Sequence, residues 1–585
     1  MAISVKIFNN RYFHVKTSVC LFLSLVFLSL NLYAQPPQIA VNQAGFYPKA
    51  PKQAIVVGAQ SATRFSVVSE KGDTVFEGQL SAVRKSKNSS LVTQVADFSG
   101  FAKTGKYRVV SGELSSPLFT ISNRVMNETA KAIIKGFYYQ RVSMPLEERY
   151  AGIWARPAGH PDDQVIVHPS AATEQRPAGT VIASPGGWYD AGDYNKYIVN
   201  SGITVGTLLS AYEDFPAYFA KLNLNIPESG NGAPDILNET LYNLRWMLTM
   251  QDPYDGGVYN KCTNAEFDGM VMPGVTKTPR YVVQKGTAAT LDFAAVMAQA
   301  ARIYKKYHKV FPGLSDSFLQ AAQKAWHWAL KNPDMEYNQF DMNRKFKPEI
   351  ATGGYGDRNF TDEWFWAAAE LYATTSDKTY EEAIKKYFPK RFSVPTWNSV
   401  DMLGVYTLFR TGNDRMMPQT ARKQLLDMAD AFVKSIGDNA FAVVMGQSPK
   451  DFIWGSNSEA ANQGILLINA YKLTKDKKYV DAALSNANYL LGQNATGYSF
   501  VTGIGSKQVM HPHHRSSEAD GIDAPVPGLL SGGPNPGRPD RCTTYLYTDP
   551  ETSFTDDVCS YASNEIAINW NAPAAYLFNA IEALE

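Results

Sequence analysis

Short hydrophobic segments with alternating polar positions occupy the chain from about residue 39 to residue 121. They include residues 53–57, 63–68, 74–77, 91–96, 106–110 and 119–121, with Gly, Ser, Lys and Asn turns between them. Because strand side chains alternate between the two faces of a sheet, this pattern predicts six or seven short β-strands. Such a series favours an immunoglobulin-like sandwich, although the paired cysteines of antibody domains are missing.

After Asn123 apolar residues recur at helical spacing, and Ala, Leu, Met and Gln replace the β-branched runs. About twelve helices are predicted, beginning near Glu128, Ser201, Pro234, Gly286, Leu314, Thr361, Thr379, Asn398, Thr420, Glu459, Lys478 and Asn564. Two helix-to-helix turns, residues 371–380 and 470–479, are similar, which indicates a repeated helix pair. Six such pairs would close into an all-α (α/α)6 toroid. Residues 144–198, 252–285 and 494–560 would then be rim loops that carry function.

The amino-terminal residues indicate export. Basic residues precede an apolar run from Cys20 to Leu32, which is too short to span a bilayer comfortably. Residues 1–34 are therefore predicted to be a cleaved signal peptide, and the mature protein to be secreted or periplasmic without a membrane anchor. The β-sandwich is assigned to residues 35–122 and the helical domain to residues 128–585.

The charge balance argues against nucleic acid as a partner. The formal net charge is +1, so there is no long-range field to attract a phosphate backbone or anionic lipid. Charged residues make up 19% of the chain, below the usual share of about 25%. Aromatic residues make up 12%, a composition that suits binding of a neutral, flat-faced ligand such as a sugar. We expect a monomer.

Three cysteines follow the signal peptide, and their spacing matches no zinc ribbon. Cys542 and Cys559 could pair in an oxidising compartment, and two free thiols fit the sequence equally well.

Asp190 and Asp193 lie three residues apart in a Gly-rich, aromatic turn, residues 186–197. Both carboxylates can therefore point at one small volume, as a shared catalytic water would require. A calcium loop or a helix cap is the alternative, although the alternating acids of an EF-hand loop are missing.

A second candidate set is the histidine run at residues 511–515, which contains His513, His514 and Arg515. In a proline-bent loop these side chains can offer fixed hydrogen-bond donors to sugar hydroxyls. Zinc is the rival ligand, but no His-Glu-x-x-His helix occurs in the sequence.

Glu565 is predicted to open the last helix, eight to nine residues after Asp556 and Asp557. Apolar and aromatic neighbours could raise its pKa, as a general acid requires. The alternative is a first-turn Glu favoured by the helix dipole. Together the two acidic sets supply the base and the acid of glycoside hydrolysis, which needs no metal or cofactor. A Gly-x-Ser-x-Gly elbow and a Walker-type loop are both missing from the sequence.

At these residues the chain resembles family 9 glycoside hydrolases, chiefly inverting endo-β-1,4-glucanases (cellulases), in the subgroup with an amino-terminal immunoglobulin-like domain. The resemblance rests on Asp190-Ala191-Gly192-Asp193, on residues 499–507 and 512–515, and on the acidic signature of residues 554–572. Residues 40–48 are similar to the opening strand of the accessory domain. The resemblance covers the chain from about residue 38 to its end.

The resemblance implies a role for each matched residue. Asp193 would take a proton from water, Asp190 would orient that water, and Glu565 would protonate the glycosidic oxygen. The remaining candidates are His513 and Arg515 as hydroxyl ligands, Tyr189, Trp454 and Trp570 as stacking rings, and Asp556 as a support for the acid's loop. Trp570 stands where many members carry Tyr, so subsite preference could differ.

Some relatives hold calcium near a motif similar to Asp362-Glu363, with an Asp after a Trp. Here Asn398 follows Trp397, and a neutral amide should bind calcium more weakly. The alternative is that Asp362 and Glu363 only cap a helix.

These observations predict a glycoside hydrolase that cleaves internal β-1,4-glucosidic bonds in cellulose or a related β-glucan and inverts the anomeric centre. An exo-acting β-glucosidase or cellobiohydrolase is the alternative within catalysis, with residues 144–185 as a plug. A carbohydrate-binding or scaffold protein that lost its chemistry is a third reading, against which the intact acids argue. The sequence does not distinguish cellulose, mixed-linkage glucan and xyloglucan.

Overall fold

The computed structural model describes residues 35–58 and 61–585, so the predicted signal peptide lies outside the described residues. Within these residues, no helix has both the length and the apolar composition needed to cross a membrane.

The first part of the described chain forms two β-sheets. In chain order the strands are β1 Gln38–Ala40, β2 Gly45–Phe46, β3 Gln53–Val57, β4 Arg64–Ser69, β5 Thr74–Gln79, β6 Arg84–Lys85, β7 Val92–Asp97, β8 Gly105–Ser111, β9 Leu114–Ser115 and β10 Phe119–Ile121. One sheet has the order β1-β3-β7-β6, and the other has the order β2-β10-β8-β4-β5, with β9 paired to β8. All neighbours are antiparallel except β2 and β10. The six predicted strand segments all correspond to strands here.

Strand β3 is buried on both of its faces. Ala54 and Val56 belong to the core between the two sheets, whereas Ile55 and Val57 join the core of the helical domain. Because strand side chains alternate, one five-residue strand serves two cores. The alternating pattern of a one-sided strand is therefore absent from β3, and the sandwich lies against the helices through this sheet.

The rest of the chain is mostly helical. The helices are α1 Asn127–Tyr139, α2 Glu148–Ala151, α3 Ile198–Asp214, α4 Pro216–Phe219, α5 Asp235–Thr249, α6 Thr287–Tyr304, α7 Leu314–Lys331, α8 Gln339–Lys345, α9 Thr361–Thr375, α10 Lys378–Tyr387, α11 Asp401–Arg410, α12 Thr420–Asp438, α13 Ser456–Thr474, α14 Lys478–Leu490, α15 Arg515–Ala519 and α16 Ile568–Leu584. Each predicted helix has a counterpart, and α2, α4, α8 and α15 are short additions. The combination of a β-rich first domain and a helical second domain is confirmed.

The predicted rim loops contain a small sheet that the sequence did not indicate. Its strands are β11 Val165–Val167, β12 Val181–Ile182, β13 Lys196–Tyr197, β14 Lys261–Asn264 and β15 Arg280–Val282, in the order β12-β11-β15-β14-β13. These strands have only two to four residues each, so the alternation of polar and apolar residues is too short to be recognised in the sequence.

Among the helices that are buried over most of their length, which also include α5 and α14, we call α3, α6, α9, α11, α13 and α16 the six buried helices. Neighbours in space include α16 with α3, α3 with α6, α6 with α9, α9 with α11, and α13 with α16. The helices α1, α7, α10 and α12 instead bury a single face, as their mixed apolar and charged sequences require.

A buried ionic network joins the six buried helices near one end. Asp214 of α3 accepts hydrogen bonds from Arg410 of α11, at 2.8 Å, and from Tyr576 of α16. Further members are Glu213 of α3, Arg302 of α6, Glu370 of α9 and Lys472 of α13. Four of these helices, α3, α6, α11 and α13, contribute residues from their last turns, so their amino-terminal ends face the opposite side of the domain. That side carries the candidate site.

We expect Ile55→Ala to destabilise both domains, because Ile55 belongs to the helical domain's core although it lies in the β-sandwich. Loss of this fully buried side chain should cost about 2–5 kcal/mol, measured by chemical unfolding. Val75→Ala is the control, because Val75 is only partly buried and packs against the core between the sheets. An equal or larger loss for Val75→Ala would contradict the shared core.

Candidate active site

A cleft of about 430 Å³ lies at the amino-terminal ends of the buried helices. Five of the six contribute residues from the segment that precedes the first turn. These segments supply Asp190, Asp193 and Tyr197 before α3, Tyr355 before α9, Trp397 and Asn398 before α11, Trp454 and Gly455 before α13, and Glu565 and Ala567 before α16. Helix amino termini carry partial positive charge, which favours carboxylates in such a position.

Asp190 is buried in the wall of this cleft. Asn200 Nδ2 donates to both of its carboxylate oxygens, at 2.9 and 3.1 Å, and the Tyr355 hydroxyl donates to Oδ2 at 2.9 Å. Burial and the neighbouring charge of Asp193 nevertheless raise the pKa of Asp190 to about 8. Near neutral pH Asp190 therefore readily holds a proton.

Asp193 accepts hydrogen bonds from neutral donors. Asn195 Nδ2 lies 2.5 Å from Oδ2, and the Tyr197 hydroxyl donates to the same oxygen at 3.1 Å. The Tyr197 hydroxyl in turn accepts the amide hydrogen of Gly353 at 3.1 Å. These contacts fix the orientation of the Asp193 carboxyl group in the wall of the cleft.

Glu565 lies in an extended segment just before α16, three residues earlier than the helix itself. Residues 563–567 are called the acid segment. Residues 186–197 are called the aspartate turn. The acid segment pairs with this turn through the Ala191–Ala567 bridge, and the amide of Ile568 donates to the Asp190 carbonyl at 2.8 Å. Burial, followed by the charges of Asp193 and Asp190, raises the pKa of Glu565 well above its usual value. Glu565 thus shares with Asp190 an environment that favours the protonated carboxyl group.

The histidine run lies alongside the acid segment. The amide of His513 donates to the Asn564 carbonyl at 2.9 Å, and His513 Nδ1 lies 2.6 Å from the Val558 carbonyl. A carbonyl can only accept, so Nδ1 carries the hydrogen and Nε2 remains an acceptor in the neutral ring. Burial lowers the pKa of His513, which keeps it neutral.

Asp556 holds the turn that precedes His513. Its carboxylate accepts the amide hydrogens of Met510 and His511, at 2.8 and 2.9 Å, and a hydrogen bond from Asn564 Nδ2 at 3.2 Å. It thereby links the histidine run to the acid segment, as a support of the acid's loop would.

Among the predicted sugar-stacking rings, Trp454 and Trp570 line the cleft. Tyr189 does not: it is 1% exposed, and its hydroxyl lies 2.8 Å from His160 Nδ1. Tyr189 packs in a small core with Val142 and Tyr194, so the prediction that it stacks on sugar is wrong. The aromatic content of the turn could not show which ring faces inward.

Arg515 is also withdrawn from the cleft surface. It is 7% exposed, and its Nε and Nη1 donate to the carbonyls of Asp268 and Gly192 at 2.9 and 2.8 Å. Its guanidinium therefore braces the aspartate turn, and its charge opposes the rise in the pKa of Glu565. Contact with a sugar hydroxyl stays a prediction.

Asn398 does not join the carboxylates that the calcium prediction grouped with it. Its side chain is exposed, accepts from the Thr396 hydroxyl at 2.8 Å and lines the cleft. Asp401, three residues later in α11, is close to Asp362, and burial together with the charge of Asp362 raises the pKa of Asp401 to about 7. Calcium binding at these residues stays a prediction.

Cys542 and Cys559 form a disulfide with a Cα–Cα distance of 5.6 Å, and Cys262 is buried and free. In the described part of the chain, one set of three metal-ligating side chains has donor atoms within 4.8 Å of one another, namely Cys542, Asp557 and Cys559. Because the two cysteines are bonded to each other, this set offers no thiolate to a metal.

The chain belongs to glycosyl hydrolase family 9. The profile of that family matches residues 127–578, and the profile of the cellulase N-terminal ig-like domain matches residues 34–116. The predicted family and the class of enzyme, a glycoside hydrolase, are thereby confirmed.

Named relatives cover nearly the whole chain. The xyloglucan-specific endo-beta-1,4-glucanase BoGH9A of Bacteroides ovatus is 46% identical over 93% of this chain and 94% of its own length. Endoglucanase D of Acetivibrio thermocellus is 33% identical over 93% of this chain and 83% of its own length. Among solved structures, a Bacteroides ovatus GH9 enzyme superposes with a TM-score of 0.89 at 45% identity, covering 93% of this chain and 99% of that one.

The structure adds site residues that the sequence reading did not identify. Asn200, Tyr197 and Tyr355 donate to the two aspartates, and Phe267 and Trp397 line the cleft. Tyr197 was within the aromatic turn but could not be assigned a partner. For Tyr355, the preceding Gly353-Gly354 pair is a local sequence signal, because paired glycines often mark a turn in which the backbone passes close to other residues.

We expect Gly192→Ala to lower activity strongly, because its Cβ would lie 2.1 Å from the His513 carbonyl oxygen. The change forces the aspartate turn away from the histidine run and so displaces Asp193 relative to Glu565. Turnover, measured as kcat on a β-glucan, should fall by about 100-fold. The thermal melting profile of the variant is recorded beside it and should match that of the native protein. Gly269→Ala is the matched control, since its Cβ would meet no atom within 4 Å. Equal activity of both variants would contradict the close approach.

Proposed function

We propose that the protein is an endo-acting β-1,4-glucanase that cleaves by a single, inverting displacement. The observation that carries the proposal is the contrast between two carboxyl groups in one cleft. Neutral donors hold Asp193, whereas burial and the charges of Asp193 and Asp190 raise the pKa of Glu565 well above its usual value. This pair provides the base and the acid that glycoside inversion needs.

In the proposed mechanism Asp193 takes a proton from water as that water attacks the anomeric carbon. Glu565 gives its proton to the glycosidic oxygen as the bond to the leaving sugar breaks. Asp190, held by Asn200 and Tyr355, orients the water. His513, whose Nδ1–H is bound to a carbonyl, offers Nε2 as an acceptor for a hydroxyl hydrogen.

We propose xyloglucan or a closely related β-1,4-glucan as the substrate, because the relative with 46% identity is named for xyloglucan. The rings of Trp454, Trp397 and Trp570 in the cleft suit the flat faces of glucose units. Within the described chain, no residue of segment 144–185 lines the cleft. An exo-acting enzyme that uses this segment as a plug is therefore the weaker alternative.

The six buried helices and their partners support the further proposal of an (α/α)6 toroid around the cleft. From the sequence alone we also propose that residues 1–34 direct export of the chain. We further propose that the mature protein is a monomer.

We expect Asp193→Asn and Glu565→Gln each to lower kcat on xyloglucan by about 10²–10⁴-fold without loss of fold. Loss of Glu565 should also remove the alkaline limb of the pH profile, because the raised pKa of this group sets that limb. Asp523→Asn, in the loop after α15, is an activity control outside the cleft. Near-normal turnover in either acid variant would overturn the assigned roles.

Product analysis tests the reaction itself. Proton NMR of fresh products from cellohexaose and xyloglucan oligosaccharides should show new α-anomers and internal cleavage. New β-anomers would exclude inversion, and release of single units from one end would favour the exo alternative. Comparison of kcat/KM on xyloglucan and on unbranched glucan decides the preferred polymer.

We propose a structural calcium site at the start of α9. The charge of Asp362 acts on Glu363, on Asp292 of α6 and on Asp401 of α11, and because no three of these described carboxyl groups bring one oxygen each within 4.8 Å of one another, they would have to draw together around the ion. Both carboxylate oxygens of Asp292 and of Glu363 are buried without a hydrogen-bond partner, and oxygen donors are the ligands calcium prefers. Burial and mutual repulsion raise the pKa of both groups well above the usual values. A bound cation would offset that repulsion.

We expect calcium to raise the melting temperature of the purified enzyme and EGTA to lower it, because the cation would bind the folded chain only. At a calcium concentration one hundred times Kd the gain is about 2.7 kcal/mol. Asp292→Asn should reduce the gain, and magnesium serves as the matched ion. A melting temperature indifferent to calcium in the native protein would contradict the site.

A further inference from the structure

Lys261 of β14 is fully buried beside the aspartate pair, yet its ammonium contacts neutral oxygens. Nζ donates to Gln339 Oε1 at 2.7 Å, to Thr352 Oγ1 at 2.9 Å and to the Gly353 carbonyl at 2.6 Å. Lys285, by contrast, is buried to a similar extent but bonds directly to the carboxylates of Asp252 and Asp255. A buried lysine without a contacting carboxylate is costly unless its charge acts on something nearby.

The carbonyl oxygens of Gln339 and Gly353 beside Nζ can only accept hydrogen bonds, as the hydrogens of an ammonium group require. A neutral amine would turn its lone pair toward one of these oxygens, whereas an ammonium has three hydrogens and no lone pair. Burial lowers the pKa of Lys261 well below its usual value, and the charge of Asp193 acts in the opposite direction. Nζ also lies over the aromatic rings of Tyr197 and Tyr337, 5.5 and 5.8 Å from their centroids, and the negative face of an aromatic ring attracts a cation.

The contacts of Lys261 lead to both aspartates through one short segment. Residues 352–355 are called the tyrosine loop. Lys261 bonds to Thr352 and Gly353 of this loop, the Gly353 amide bonds to the Tyr197 hydroxyl, and Tyr197 donates to Asp193. Two residues further on, the Tyr355 hydroxyl donates to Asp190. One lysine thus fixes the loop whose hydrogen bonds reach both carboxylates.

We propose that Lys261 is a positioning residue that anchors the tyrosine loop against Asp190 and Asp193 and supplies the positive charge that favours an ionised base. The inference rests on the proposed role of Asp193. Lys261 does not touch substrate; it acts through Tyr197, Tyr355 and the electric field at Asp193.

Other charged and titratable groups also lie near Asp193, so the test must separate the effect of Lys261 on the pH profile from theirs. They are Asp190, Tyr197, Lys261, Tyr355, His513 and Glu565. Arg515, which donates to the carbonyl of Gly192 beside Asp193, is a second cation near the base and is unchanged in the test; burial lowers the pKa of His513, which leaves Lys261 as the cation that the test removes. Its removal should therefore shift the acid limb of the pH profile upward, and the alkaline limb, which belongs to Glu565, should move less.

The experiment measures kcat/KM against pH on xyloglucan for the full enzyme and for Lys261→Met, which keeps the buried stem and removes the charge. We expect the acid limb to move to higher pH by on the order of one unit and kcat to fall by about tenfold or more. Lys285→Met is the matched control, a buried lysine whose loss should lower stability and leave the acid limb in place.

Because the position of a limb does not depend on how much enzyme is folded, a low yield leaves the result readable. Lys261→Gln, which keeps an N–H donor without charge, is measured in parallel and should show the same shift. An acid limb identical to the native one in either variant overturns the proposal. Native enzyme without activity on any β-glucan, or an active Asp193→Asn variant, would instead overturn the proposed function.

Discussion

Burial of three carboxyl groups around one cleft is the constraint on which the rest of the site depends. A cleft shielded from water can hold few negative charges at once, so burial and neighbouring charges raise the pKa values of Asp190 and Glu565. Neutral donors contact Asp190 and Asp193, and no comparable set of side chains contacts Glu565 among the described residues. Identical functional groups thereby acquire different tasks from their surroundings alone.

The scaffold answers this constraint by bringing distant segments into backbone contact. The acid segment pairs with the aspartate turn and with the histidine run, although more than 370 residues separate Asp190 from Glu565. The ionic network around Asp214 ties the opposite ends of the same helices. Cleft geometry is therefore set at both ends of the helices, by hydrogen bonds at one and by buried ion pairs at the other.

Much of this architecture could be predicted from the sequence, because strand alternation and helical spacing are local properties. Strands such as β3 and helices such as α9 begin where the pattern places them. The acids Asp190, Asp193 and Glu565 were found through their motifs. Residues that act through tertiary contacts were not found, since nothing near Lys261 or Asn200 in sequence shows what each approaches in space. Tyr189 failed for the same reason, because burial is decided by packing.

Strand β3 has a further consequence for how the two domains relate. A strand whose alternate side chains serve two cores cannot leave one core without opening the other. The connection between Ile121 and Asn127 is therefore not what holds the domains together. A protease that nicked this connection would leave two fragments that stay associated and keep the cleft intact. The accessory domain behaves as an internal layer of the enzyme, and it could not be exchanged between proteins like an independently tethered module.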